Sequence, residues 1–141
     1  MRSTLSPLVF VALLAGGPAV AAPAAAPVPL VAVLSGSPTA GDPDGSGRAE
    51  LTLDTARLRL CYALAATGIA PASAASLNRG PATDTGRPVV RLVAPRDGES
   101  RNCVELTPYD ANEILRHPEN YYVSIRNAEH PAGALRGQLQ R

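Results

Sequence analysis

The sequence predicts an all-β fold, an antiparallel β-sandwich with Greek-key connections and one short helix. About seven short segments have strand character, and turns rich in Gly and Pro separate them. Helix signals gather in a single segment near the C-terminal end. With 141 residues, the chain has room for one domain of ordinary size.

The N-terminal residues 1–21 have the pattern of a signal peptide. One early cation, Arg2, precedes an apolar stretch over residues 5–14 and a small-residue ending, Ala-Val-Ala. The apolar stretch is about half of the ~20 residues that a membrane-spanning helix needs. We therefore expect cleavage before Ala22, an Ala/Pro leader over residues 22–29, and a secreted or periplasmic domain over residues 30–141.

The charge balance gives no reason to expect a polyanionic partner. The formal net charge is +1, and all 13 basic residues are arginines. Nucleic acid and anionic membranes are therefore not expected partners. We expect a monomer without a transmembrane segment, whose partner is an unidentified protein or envelope component.

The two cysteines, Cys61 and Cys103, favour a disulfide bond. An even count is typical of a small exported domain. No Cys-x-x-Cys spacing indicates redox chemistry, and no histidine lies near either cysteine in the sequence.

The first strand is predicted over residues 30–34, and a turn rich in Asp and Gly follows over residues 39–47. Asp42, Asp44 and Ser46 place oxygen side chains at alternate positions, as in a calcium-binding loop. Counting from Asp42, however, places Leu53 at the twelfth position, where such a loop needs a glutamate. The segment therefore favours a hairpin turn.

Residues 48–54 and 57–65 form the next predicted pair of strands. Apolar and polar residues alternate through both segments, the pattern of a strand with one buried face. The residues predicted on that face are Leu51, Leu53, Leu58, Leu60, Tyr62 and Leu64.

Residues 67–88 are small, polar and repeatedly interrupted by Gly and Pro, so no strand is predicted within them. Strand character returns over residues 88–94. A polar loop over residues 95–102 leads to a further strand over residues 103–106.

The only predicted helix covers residues 107–117. Thr107 is a suitable N-cap, Pro108 suits the first helical position, and Asp110 complements the helix dipole. Pro118 ends the helix. Ala111, Ile114 and Leu115 form a narrow apolar stripe, so the helix should lie on the surface of the sandwich.

The chain ends in a predicted β-hairpin. Tyr121–Asn127 and residues 134–140 flank a Glu-His-Pro-Ala-Gly connection that suits a chain reversal. Successive side chains of a strand point to opposite faces. Tyr122, Ser124 and Arg126 should therefore share one face, and Tyr121, Val123 and Ile125 the other. Leu135 and Leu139 also share a face, and Gly137 leaves room for a close neighbour.

This hairpin resembles the end of the chordin-type (CHRD) domain, where a Tyr-Tyr-Val-Asn-Val-His-like strand precedes Pro-x-Gly-x-Ile-Arg-Gly-Gln-Leu. The resemblance extends from about Leu30 to Leu139 and implies the same all-β fold, of the superoxide-dismutase or immunoglobulin-like kind. The chain resembles an exported bacterial member of that family. The matching residues are Tyr121, Tyr122, Val123, Pro131, Gly133, Arg136, Gly137, Gln138 and Leu139.

The resemblance also identifies three replaced histidines. Family members typically have Ala-Ala-His-Ile-His-x-Gly where this chain has Ser76 and Asn78, and a further histidine at the position of Arg126. These positions resemble a metal-binding cluster in the relatives, but a guanidinium repels cations, and hydroxyl and carboxamide groups are weak ligands. We therefore expect no metal there. Ser76, Asn78 and Arg126 are instead candidate binding residues for an anion, and the favoured alternative is an Arg126 satisfied structurally, for example by Asp84.

No catalytic constellation is evident, so we expect a protein that is not an enzyme and has no cofactor. Gly-x-Ser-x-Gly is absent, and the two histidines, His117 and His130, are expected at a helix end and in a turn. The preferred hypothesis is an exported CHRD-domain protein with a non-catalytic structural or binding role. The alternative is a metal-dependent enzyme of the superoxide-dismutase-like kind.

Overall fold

A computed structural model describes residues 16–36 and 41–141. This part of the chain forms eight strands, one α-helix and one 3₁₀ turn. The strands are β1 Val28–Ser35, β2 Ser46–Asp54, β3 Arg59–Thr67, β4 Ala72–Arg79, β5 Arg87–Leu92, β6 Glu99–Glu105, β7 Tyr121–Asn127 and β8 Leu135–Gln138; the helix α1 is Pro108–Arg116, and the 3₁₀ turn is Pro118–Asn120.

The eight strands form one antiparallel sheet in the order β5-β4-β7-β8-β1-β2-β3-β6. Four strands on each side of the β8–β1 contact form two halves that share a single core cluster. The halves are joined where Ser35 pairs with Arg136 and Val31 bridges to Gln140. The all-β antiparallel fold is therefore confirmed, with the two layers continuous at one edge.

The period-2 pattern of β2 and β3 places the expected leucines in the core. Leu51, Leu53, Leu60 and Leu64 are each at most 2% exposed, and Tyr62 is buried beside them. Leu58 is the exception: it lies in the turn before β3 with φ of 51°. The predicted strand over residues 57–65 therefore begins at Arg59, because the chain reverses through Leu58 in the left-handed region.

The C-terminal hairpin has the predicted register. Val123 pairs with Gly137, Ser124 with Arg136, and Ile125 with Leu135. Val123, Ile125, Leu135 and Leu139 are fully buried, so the hairpin contributes one complete face to the core.

The helix also agrees with its sequence signals. The Thr107 side chain accepts a hydrogen bond from the backbone N–H of Asp110, and Pro108 begins the helix. Ala111 and Ile114 are its buried residues, which fits a helix packed by one narrow stripe.

Two strand predictions need correction. The segment over residues 67–88, predicted to be interrupted, contains β4, which pairs with β5 on one side and β7 on the other. The segment predicted as a polar loop over residues 95–102 contributes the first half of β6, an edge strand paired only with β3. An edge strand has one solvent-facing side, so polar residues are tolerated there.

Cys61 and Cys103 lie directly opposite each other on β3 and β6 and form the expected disulfide bond. The first 15 residues of the predicted signal peptide lie outside the described residues, as do residues 39 and 40 of the predicted Asp/Gly turn. Residues 16–27 are exposed and have no regular structure. Among the described residues, no helix has the length and apolar character needed to cross a bilayer.

Candidate functional site

The outer surface of β4, β5, β7 and β8 is unusually polar, and we call it the polar face. It carries the side chains that alternate with buried apolar residues such as Leu77, Val123 and Ile125. Several of its polar residues are nevertheless buried, because another segment of the chain covers part of this face. The polar face consists of Ser76, Asn78, Arg91, Tyr122, Ser124, Arg126, Arg136 and Gln138.

The strand register fixes the spacing of the three positions at which the CHRD resemblance implies histidine. Asn78 pairs with Tyr122, Ser76 pairs with Ser124, and Arg126 pairs with Ala74. Arg126 is thus four residues from Tyr122, the partner of Asn78, a separation of about 13 Å along the strand. Ser76 lies between the other two positions: its hydroxyl contacts Asn78, and its partner Ser124 is two residues from Arg126, so Asn78 and Arg126 are the pair that the structure keeps apart.

Ser76 and Asn78 are occupied by hydrogen bonds. The Ser76 hydroxyl donates to Asn78 Oδ1 at 2.7 Å, and Asn78 Nδ2 donates to the Tyr122 hydroxyl oxygen at 3.0 Å. Ser76 is 6% exposed and Asn78 is 1% exposed. These two residues therefore act as a buried brace between β4 and β7 and do not present free donor or acceptor groups to a ligand.

The segment over residues 80–86, which we call the strap, covers this end of the polar face. The Tyr122 hydroxyl accepts a hydrogen bond from Gly86 N at 2.8 Å and donates to the carbonyl of Asp84 at 3.1 Å. Gln138 Oε1 accepts from Ala82 N at 2.8 Å, and Gln138 Nε2 donates to the carbonyl of Gly80 at 3.1 Å. Both side chains thus supply partners to backbone groups of the strap, in addition to the backbone hydrogen bonds of Gly80 N and Asp84 N.

Arg136 is the cation at the centre of this arrangement. It is 5% exposed, and its guanidinium donates to the carbonyl oxygens of Ala82, Asp84 and Ala132. It also lies 5.5 Å from the centre of the Tyr122 ring. The structural role considered for Arg126, donating to acceptors near Asp84, therefore belongs to Arg136. Arg126 makes no such contact, because it lies at the other end of β7.

Two glycines make room for these contacts. Gly133 has φ of 145°, and a Cβ atom there would meet Arg136 Nε at 2.6 Å. A Cβ atom on Gly137 would overlap the carbonyl of Val33 on β1, so the close approach of β8 and β1 requires glycine. Pro131 lies in the turn that precedes Gly133.

The C-terminal hairpin motif thus has a physical role, which is to clamp the strap onto the sheet.

The family model described as "CHRD domain" matches residues 30–139. The chain belongs to the CHRD domain family. A search of curated proteins found no match.

In this CHRD domain, Tyr122→Phe should lower the free energy of unfolding by about 1–3 kcal/mol, because it leaves strap groups and Asn78 without their buried partner. Tyr121→Phe is the matched control. The Tyr121 hydroxyl accepts a hydrogen bond from Arg79, whose guanidinium is accessible to water, so this change should cost less. Urea denaturation of both variants measures the difference, and equal costs would contradict the clamp.

Beyond the strap, the polar face opens into a groove of about 400 Å³ between β5 and β7. Arg91 on β5 and Arg126 on β7 flank it, and Ala74 and Ser76 on β4 lie between them. No residue that lines the groove is acidic; the remaining lining residues are Ser73, Ala75, Pro88, Leu92 and Ala94. We call this the arginine groove.

Neither arginine of the groove has a partner for its guanidinium among the residues that the structure describes. Arg126 Nε is inaccessible to water and has no hydrogen-bond partner. The Ser124 hydroxyl, beside Arg126 on the same strand face, is also buried without a partner. Arg91 was not singled out from the sequence, because its position opposite Ser76 depends on the β4–β5 pairing.

The two histidines lie outside the polar face. His117 caps the helix and contacts Glu119, whereas His130 in the hairpin turn lies 3.9 Å from the carboxylate of Asp42. Asp42, His130 and the exposed Glu129 place possible ligand atoms within 4.8 Å of one another. This group lies among the loops and contains no residue of the polar face.

Another arginine, Arg79, contacts two tyrosines at the end of the sheet beside the helix. Arg79 donates to the hydroxyls of Tyr109 and Tyr121 and lies against both rings. These hydrogen bonds, that to Tyr109 first, raise the pKa of Arg79, and burial raises the pKa of Tyr121. Arg79 therefore stays a cation with a structural role at the junction of β4 and α1.

Proposed function

We propose that this CHRD domain is an exported, non-catalytic binding module that holds its ligand at the arginine groove. The observation that carries the proposal is the pair of unpartnered arginines, Arg91 and Arg126, on either side of a floor of small residues. A guanidinium held in a groove without a carboxylate partner is available to an incoming ligand.

The disulfide bond supports the exported location, because disulfides persist in oxidising compartments. The hydrogen bonding of Ser76 and Asn78 supports a non-catalytic role. Their polar groups are committed to each other and to Tyr122, whose hydroxyl is in turn occupied by Gly86 N and the carbonyl of Asp84. The metal-dependent alternative gains nothing from these side chains, since a hydroxyl, a carboxamide and a guanidinium occupy the three positions at which the resemblance implies histidine.

Site-specific photo-cross-linking tests the proposal. A photoreactive residue replaces Ser73 at the groove or, as the matched control, the exposed Thr52 on β2 in the other half of the sheet. The full-length variant is expressed, collected together with the exported protein fraction, and irradiated. Its intact mass is then measured by mass spectrometry. We expect a discrete mass increase from position 73 and none from position 52.

The same adduct from both positions, or from neither, would contradict binding at the groove. Turnover of any substrate that is lost when a side chain of the polar face is changed would contradict the non-catalytic role.

A further inference from the structure

We infer that the arginine groove binds a small ligand through an oxyanion group, a carboxylate, sulfate or phosphate. This inference rests on the proposed function and names the chemistry of its ligand. It concerns Arg91 and Arg126 as a pair, with Ser73 and Ser76 beside them.

The charge at the groove is uncompensated. Arg48, Arg57 and Arg79 elsewhere in the described chain contact a carboxylate or tyrosine hydroxyls, but Arg91 and Arg126 have neither. The carboxylate of Asp84, in the strap, does not line the groove and accepts a hydrogen bond from Thr85 N. Two cations that face one cleft repel each other, and an anion bound between them removes that repulsion.

The accessible part of Arg126 indicates where the anion would bind. Its Nε is shielded from water, but the side chain is half-buried and its terminal amino groups line the groove without an acceptor among the described residues. A ligand oxygen would supply that acceptor, and the planar guanidinium presents its donors in the fork that suits oxyanions.

The strand geometry sets the shape of the site. Arg91 is opposite Ser76, and Arg126 is opposite Ala74, so the two arginines lie on either side of β4 and one strand alternation apart. Because Ala74 and Ser76 have short side chains, both long side chains can reach over β4. The volume of about 400 Å³ lies in the range of small-molecule pockets and accommodates a ligand the size of a sugar acid.

NMR titration of the isotope-labelled, full-length chain tests the inference with four probes: glucuronate, inorganic sulfate, inorganic phosphate, and glucose as the uncharged match for glucuronate. We expect the amide signals of β4, β5 and β7 around the groove to shift with the anions and not with glucose. The ranking of the three anions distinguishes a carboxylate ligand from a tetrahedral one. Added NaCl should weaken binding, since exposed charges are screened.

Variants assign the effect to the two arginines. Arg91→Gln and Arg126→Gln should each weaken the best anion about tenfold, the loss of one charge-assisted interaction. The control is Arg101→Gln on β6, an exposed arginine in a depression that also contains Glu50 and Glu99, and it should leave affinity unchanged.

Three results would overturn the inference: no shift with any anion, equal shifts with glucose, or anion binding that survives the Arg91→Gln, Arg126→Gln double variant. The wild-type signals locate the site even if a variant fails to fold. A cross-linked adduct at position 73 together with failed anion binding would overturn the oxyanion chemistry and leave the binding module intact.

Discussion

Reduction of the Cys61–Cys103 bond is expected to lower the free energy of unfolding by about 4 kcal/mol. The bond closes a loop with a sequence separation of 42 that contains β4 and β5, and it joins the neighbouring strands β3 and β6 within one half of the sheet. In the chain-entropy model, a bridge across a loop of this length removes many conformations from the unfolded chain. The total stability of a small domain is about 5–15 kcal/mol, so the melting temperature should fall by about 10–20 °C.

Calorimetry with and without reductant measures this change. The Cys61→Ala, Cys103→Ala double variant is the control; it should melt at the lower temperature and ignore the reductant. Two reactive thiols in the untreated protein, or an unchanged melting temperature after full reduction, would contradict the prediction.

Arg136→Ala is expected to cost about 3 kcal/mol, because three carbonyl acceptors and the Tyr122 ring lose their buried cation together. The strap should also loosen. Hydrogen exchange at Gly86 N, which is held by Tyr122, should accelerate in this variant more than exchange at β2 amides.

Arg126→Ala is the matched control, since Arg126 lies on the same sheet face and donates to no protein group. Removal of a buried donor that has no acceptor should offset the packing lost with the side chain, so the free energy of unfolding should fall by less than about 0.5 kcal/mol. Equal costs for the two variants in denaturant titrations would show that the strap is not clamped by Arg136.

The helix and strands that the sequence predicted correctly are those whose conformation is determined by residues close together in the chain. The helix begins where Thr107 accepts a capping hydrogen bond and Pro108 occupies the first helical position. In β7, the alternation of side chains determines which of them enter the core. β4 was missed because Ala72–Arg79 is rich in Ala and Ser, which have weak strand propensity. It is a strand because β5 and β7 pair with it on both sides, and no local pattern reports that.

The candidate site was predictable to the same degree. Sequence reasoning named Ser76, Asn78 and Arg126, and alternation placed Arg126 on the outer face. It could not separate the role of Arg126 from that of Arg136, since only the position of the strap decides which arginine has carbonyl partners. Arg91 likewise becomes a site residue only through its register with Ser76.

We expect no metal centre on the polar face, where the CHRD resemblance implies histidine. Elemental analysis of the purified protein tests this directly, beside a Glu129→Gln, His130→Gln variant that removes two possible ligands of the loop group. Metal in the wild type alone would lie at that group and leave the polar face as described. We predict no stoichiometric copper or zinc in either protein, and one ion per chain in both would show that the polar face holds a metal.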